Sequence, residues 1–175
     1  TRKKRSKFNL RDLLYNLKES LKPLLIINIY GRKVEIPVNI TIVGGCAEIH
    51  ANPVSFLLIF TNLLINSIKS LRFAEREKPE IKVEIWSENQ HLYIQFHDNG
   101  NGVMESNRAR IWRAFVSTYP KTGTRSELRG MGLGLTLTKE TIEEQYMGDI
   151  VLDSTQSDEE KPGEGFATFL IDIPL

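Results

Sequence analysis

The stretch from Asn52 to Phe73 constrains this chain more than any other part of it. Asn52-Pro53 reads as a helix start, with proline in the first turn where its missing N–H is harmless. The apolar residues that follow predict a helix to about Phe73 that is buried almost all round. Yet Asn62, Asn66 and Lys69 fall at i, i+4 and i+7, which stacks them on one stripe. A buried helix must aim such a stripe at something polar, because each unpaired buried amide costs about 1–3 kcal/mol. The alternative is a stripe that simply faces solvent or caps a nearby loop.

Around this helix the patterns predict a two-layer α/β sandwich, with a mixed, mostly antiparallel sheet covered on one face by helices. Leu10, Leu13, Leu14, Leu17 and Leu21 make one helical stripe over 9–21, with Asn9 as N-cap. Val34 to Val43 reads as a strand, Gly44-Gly45 as a turn and Ala47 to His50 as its short partner. Ile81, Val83 and Ile85, then Leu92, Ile94 and Phe96, alternate as two strands linked at Glu88-Asn89-Gln90. A short helix is expected at 108–115 and a long polar loop at 117–129. A second main helix should open at Gly130, carry Leu135, Ile142 and Tyr146 on one face, and end with Gly148 as its C′ glycine. Strands at 149–154 and 166–173 close the chain.

Composition excludes several classes. The 175 residues fit one domain. Net charge is +1, but TRKKRSK holds five of the 23 basic residues, leaving 18 against 22 acidic ones in the body. A globule of that balance is not a nucleic-acid binder. Cys46 is the sole cysteine, so no internal disulfide framework is available, and a packed small residue is the expectation for it. Thr61, Asn62, Asn66 and Ser67 interrupt the most apolar run, so no membrane span is expected. The basic cluster has no apolar core behind it and is not a signal peptide.

Two further constellations carry chemistry. Asp98-Asn99-Gly100-Asn101-Gly102 follows a strand: an aspartate can accept from an exocyclic amino group, and glycines let backbone approach a flat ring. Alone it is also an ordinary turn. Gly130, Gly132 and Gly134 stand at an expected helix start, where free N–H groups suit phosphate. The run does not directly follow a strand, and GxxxxGK[ST] is absent, which argues against Rossmann and P-loop units.

Together and in this order, the motifs resemble the ATP-binding domain of the GHKL superfamily (Bergerat fold), closest to the catalytic domain of sensor histidine kinases. FTNLLINSIKSL is similar to the family's N box and HDNGNGV to its G1 box. IWRAFVSTYPKTG resembles its F box, RGMGLGLTLTKETIEEQYMGDIVL its G2 box, and GFATFLIDIPL its final strand. The likeness covers about residues 8–175.

The resemblance implies ATP and Mg²⁺ as cofactors. Asn66 would give an oxygen to the Mg²⁺ that bridges the phosphates, with Asn62 beside it and Lys69 near the phosphates. Asp98 would accept the adenine N6 proton and so reject guanine, with Gly100 and Gly102 against the base. Gly130, Gly132 and Gly134 would hinge a lid over the triphosphate. Met131, Leu133, Leu135 and Thr168 belong to the same implied site. Phe115 would anchor the start of the lid, and Lys121, Arg125 and Arg129 would reach the phosphates.

Where ATPase branches of the superfamily place a glutamate that activates water, this chain has Asn62, and an amide is no general base. Slow intrinsic hydrolysis is therefore expected. The implied activity is transfer of the γ-phosphoryl group to a histidine on a dimerisation domain, in two-component signalling with a downstream response regulator, in the cytoplasm. His50, His91 and His97 lack an acidic-flanked helical context and read as structural. The chain starts with Thr, so the acceptor is expected upstream, with 1–7 as a basic linker and 8–175 as the catalytic domain. Two rivals are a kinase of the same superfamily with a non-histidine acceptor, and a non-catalytic nucleotide-sensing module.

Overall fold

Asn52 sets the central helix in place. In a computed structural model that describes residues 4–117, 130–157 and 164–175, its side-chain oxygen accepts from Val54 N at 2.9 Å and Ser55 N at 3.3 Å. This caps helix α2, Pro53–Ala74. Glu75, in the left-handed region at φ 50°, ends it by donating its N–H to Leu71 O. Asn9 caps α1, Leu10–Ser20, in the same way, with Leu10, Leu14 and Leu17 buried.

Strand β1 (Ser6–Asn9) precedes α1, and a single 3-10 turn, Lys22–Leu25, follows it. Next come β2 (Ile26–Ile29), β3 (Arg32–Glu35), β4 (Val38–Ile42) and β5 (Glu48–Ala51). After α2 the hairpin β6 (Ile81–Glu88) and β7 (His91–Asp98) turns through Asn89 and Gln90, both at positive φ. The remaining elements are α3 (Glu105–Arg108), α4 (Gly134–Glu140) with a π-helical turn over Thr141–Gln145, β8 (Asp149–Thr155) and β9 (Phe166–Pro174). The main sheet runs β4-β6-β7-β9-β8. Only β4 and β6 are parallel, and every other pair is antiparallel. This is the mixed, mostly antiparallel sheet expected.

Alternation builds the core. Ile81, Val83 and Ile85 of β6, Leu92, Ile94 and Phe96 of β7, and Ala167, Phe169, Ile171 and Ile173 of β9 are all buried. They meet Phe56, Ile59, Phe60, Leu63, Leu64, Ile68 and Leu71 of α2, and the Phe60 and Phe96 ring centroids lie 6.5 Å apart.

Several local expectations change. Pro37 divides the strand expected over 34–43 into β3 and β4. Its carbonyl accepts from Ile81 N at 3.0 Å and so starts the parallel pairing. Strand β5 pairs with β1, not with its sequence neighbour β4, in the register Ser6 to Ala51 and Asn9 to Glu48. Residues 6 and 7, expected in a linker, therefore belong to the fold. The helix expected at 108–115 sits earlier, at 105–108, and turns follow it. The second main helix starts at Gly134 instead of Gly130. Its end is set by Met147 at φ 55°, while Gly148 is needed for space, since a Cβ there would lie 2.3 Å from Asp172 O. Finally, α2 does have the length and composition of a membrane span, with mean hydropathy 1.6, but 56% of that window is buried inside this domain.

Phe60 is fully buried between helix and sheet. Phe60→Ala should therefore lower the unfolding free energy by about 3–5 kcal/mol. A urea titration measures this as a lower midpoint with an unchanged slope.

Candidate nucleotide-binding site

The polar stripe of α2 faces a cavity. Asn62, Asn66 and Lys69 line a space of about 330 Å³ with Gly130, Met131, Gly132, Leu133, Gly134 and Leu135 opposite them. Asn62 Nδ2 donates to Gly134 O at 3.0 Å and to Thr138 Oγ1 at 3.2 Å, which ties α2 to the start of α4. Asn66 is different. Its Nδ2 is buried and has no hydrogen-bond partner among the described residues. Lys69 Nζ lies 2.8 Å from where a Cβ on Gly130 would begin, and burial lowers its pKa from the usual lysine value.

The glycine run is shaped by its neighbour. Gly132 sits at φ +71°, and a Cβ there would fall 2.5 Å from Val116 O. Phe115 N donates to Gly132 O at 3.0 Å, so backbone holds the two segments together. The Phe115 ring does not, being 75% exposed. Lys121, Arg125 and Arg129 lie outside the described residues.

Asp98 ends β7 on the helix-covered face and is 2% exposed. Its Oδ2 accepts from Ser67 Oγ at 2.9 Å and its Oδ1 from Gly100 N at 3.0 Å. Burial pushes the carboxyl up to about 6, opposed by the bonds from Gly100, Ser67 and Ser70 and by the Arg76 charge. Asp98 does not border the cavity around Asn66. Gly100 packs against Ser70, and Gly102, at φ +70°, against the Thr155 carbonyl, 1.9 Å from where a Cβ would stand. Both glycines thus seat the loop against protein.

The register of β9 sets Ala167 opposite Asp98 and Thr168 opposite His97. Neighbouring residues of a strand point to opposite faces, so Thr168 lies on the far face. There it is hydrogen-bonded to His97 Nδ1 at 2.8 Å, and the structure does not bring it to the site. Ser117, the first residue of the expected lid, lines the cavity, and Ile65, Ile111, Val116 and Leu137 line it without having been expected there. Ser67, Ser70 and the fully buried Thr138 were not expected as site residues either. For the two serines a signal was present: i, i+3 spacing beside the Asn66–Lys69 stripe.

Among the described residues no group of three or more His, Cys, Asp or Glu could hold a metal ion. Neutral amide oxygen is what the cavity offers, and it fits Mg²⁺, which takes few protein ligands and fills its octahedron with phosphate and water. Rotation about the last Asn66 torsion exchanges its orphan Nδ2 for Oδ1.

Residues 51–175 match the family model described as histidine kinase-, DNA gyrase B- and HSP90-like ATPase. The phytochrome-like protein Cph1 of Synechocystis is 35% identical over 135 residues, 76% of this chain and 16% of that protein. The chain thus spans about a sixth of that relative's length. The nucleotide-free catalytic domain of histidine kinase ThkA aligns over 98% of this chain and 95% of its own, with TM-score 0.68 and 19% identity. Full-length ShkA in complex with AMPPNP aligns over 97% of this chain and 31% of its own, with TM-score 0.72 and 20% identity. Both structures share the fold described above. With well over half of its length matched, the chain belongs to the histidine kinase-, DNA gyrase B- and HSP90-like ATPase family.

Proposed function

We propose that this domain binds Mg-ATP and delivers the γ-phosphoryl group to a histidine on its own dimerisation domain, as the catalytic part of a two-component sensor kinase. The observation that carries this reading is Asn66 Nδ2, buried and without a partner among the described residues, on a side chain at one wall of the cavity that Lys69 and residues 130–134 also line. A lone amide of that kind is costly unless a ligand completes it.

Asn66 would hold the magnesium ion, whose chemistry when bound is neutralisation of phosphate charge. Lys69 and the N–H groups of the glycine run orient and balance the triphosphate. Asp98 holds the base. Its two oxygens accept from Ser67 and Gly100, and a carboxylate has about four lone-pair sites, so it can still accept from an adenine amino group. Asn62 spends its N–H groups on Gly134 and Thr138, and its oxygen cannot take a proton from water at neutral pH. The chemistry that remains is positioning for a separate nucleophile. The partners are ATP, the dimerisation domain and a response regulator, and the cellular location is the cytoplasm, where ATP is supplied. Incubation of the full-length protein with γ-labelled ATP tests the acceptor. An acid-labile, base-stable label is expected, whereas an acid-stable one would transfer the reading to a serine-type kinase.

Three outcomes follow from the site. Asn66→Ala should cut phosphoryl transfer by on the order of a hundredfold or more and remove the Mg²⁺ dependence of ATP binding, read by calorimetry with and without the metal. The isolated domain should release inorganic phosphate only slowly; rapid acceptor-free turnover in a phosphate-release assay would contradict the role of Asn62. Asp98→Asn should weaken ATP binding about tenfold. That same substitution should stabilise the nucleotide-free fold. A carboxyl whose folded pKa is raised to about 6 binds its proton more tightly in the folded state than in the unfolded one. Its contribution is therefore most favourable at low pH and is lost as pH rises from about 4 to 6, at a cost on the order of 3 kcal/mol at neutrality. Urea titrations across this range should show that fall in the wild type and not in Asp98→Asn.

A further inference from the structure

Arg76 lies just beyond α2, half-buried, and reaches into the loop that continues from Asp98. Its Nε donates to Asn99 O, and one terminal nitrogen lies 3.4 Å from Gly100 O and 2.5 Å from Gly165 O. One guanidinium thus joins three carbonyls on two segments, the 99–102 loop and the residue ahead of β9. Carbonyl oxygens converging on one point repel each other unless a cation sits among them, and a planar fork of donors fits that arrangement better than a point charge. The same charge faces the Asp98 carboxylate, with Glu164 also acting on it.

We propose that Arg76 is a positioning residue for the base end of the nucleotide site, fixing the 99–102 loop so that Asp98 meets adenine at a set angle and in its ionised form. The proposal rests on the reading of Asp98 as the adenine acceptor. Arg76 does not line the cavity around Asn66 and Lys69, so it acts on the base and not on the phosphates.

The loop has other ties, all neutral. Asn99 Oδ1 accepts from Glu80 N at 2.7 Å, Asn99 Nδ2 donates to Lys78 O at 2.8 Å, and Asn101 N donates to Ser70 Oγ at 2.9 Å. These keep the loop folded when Arg76 is changed, so what the arginine adds is charge and a link to Gly165. Among the described residues the other groups facing Asp98 are uncharged: Ser67 and Ser70 of α2, the Gly100 N–H, Ile81 of β6 and Ala167 of β9. Arg76 is therefore the cation that favours the ionised carboxylate.

The test is calorimetric titration of the whole chain with Mg-ATP from about pH 5 to 8, a range that brackets the Asp98 carboxyl, using wild type, Arg76→Ala and Arg76→Lys. Arg76→Ala should weaken ATP binding about tenfold at the alkaline end, as expected for losing charge-assisted bonds. The pH at which binding falls off on the acid side should also move up, because the carboxylate has lost its cation. Arg76→Lys should return that midpoint to the wild-type position while recovering only part of the affinity. An Arg76→Ala protein that binds within about twofold of wild type, with an unmoved midpoint, would overturn the proposal. Equal weakening in both variants with an unmoved midpoint would also overturn it, leaving only a structural tie. If the alanine variant does not fold, the lysine variant alone decides, since its midpoint must match wild type and its affinity must be lower. A wild-type chain that ignores ATP at every pH would instead remove the nucleotide reading itself.

Discussion

Helix α2 commits its apolar face to the sheet, and the direction in which it turns its polar strip organises this protein. Phe56, Ile59, Phe60, Leu63 and Leu71 commit it to the sheet. Asn62, Asn66 and Lys69 must then emerge on the side where the 130–135 segment passes. The apolar contacts fix rotation and height for all three, and Asn62 is tied in addition to Gly134 and Thr138. Such packing is how the Asn66 amide can be kept in place while its Nδ2 lacks a partner among the described residues.

The same helix stabilises a charge at the other end of the fold. Ser67 lies one position beyond Asn66 and points to Asp98, so successive residues of one turn face the cavity and the buried carboxyl. Asp98 is expensive to keep ionised, and its surroundings only partly offset that cost. Uncompensated burial of this kind is typical of positions kept for binding and not for stability. Arg76 and the two serines mark how far the fold goes to keep the group usable.

Much of this was legible in the residues. The caps at Asn9 and Asn52, the alternation in β6 and β7, and the stripe on α2 are local signals, and each element formed where its period placed it. What local pattern could not reveal was pairing at a distance. β5 joins β1 across α1 because the ribbon packs beside α2, a choice made by tertiary contact and not by the Gly44-Gly45 turn. Thr168 lies one residue out of register with Asp98, and a shift of one residue on a strand exchanges the faces of the sheet. Asn62 and Asn66 were legible as a pair, but their difference was not: the Nδ2 of one is tied to α4, and the Nδ2 of the other has no partner among the described residues. Only coordinates separate two asparagines four residues apart.

The single bond from Phe115 N to Gly132 O has a quieter outcome. It fastens Phe115 to Gly132, so the two ends of the intervening sequence are held at a fixed separation. Closing a flexible loop becomes harder only with the logarithm of its length, about 0.6 kcal/mol for each doubling. Descendants of this chain are thus free to change the number of residues between the two anchors with little disturbance to the core.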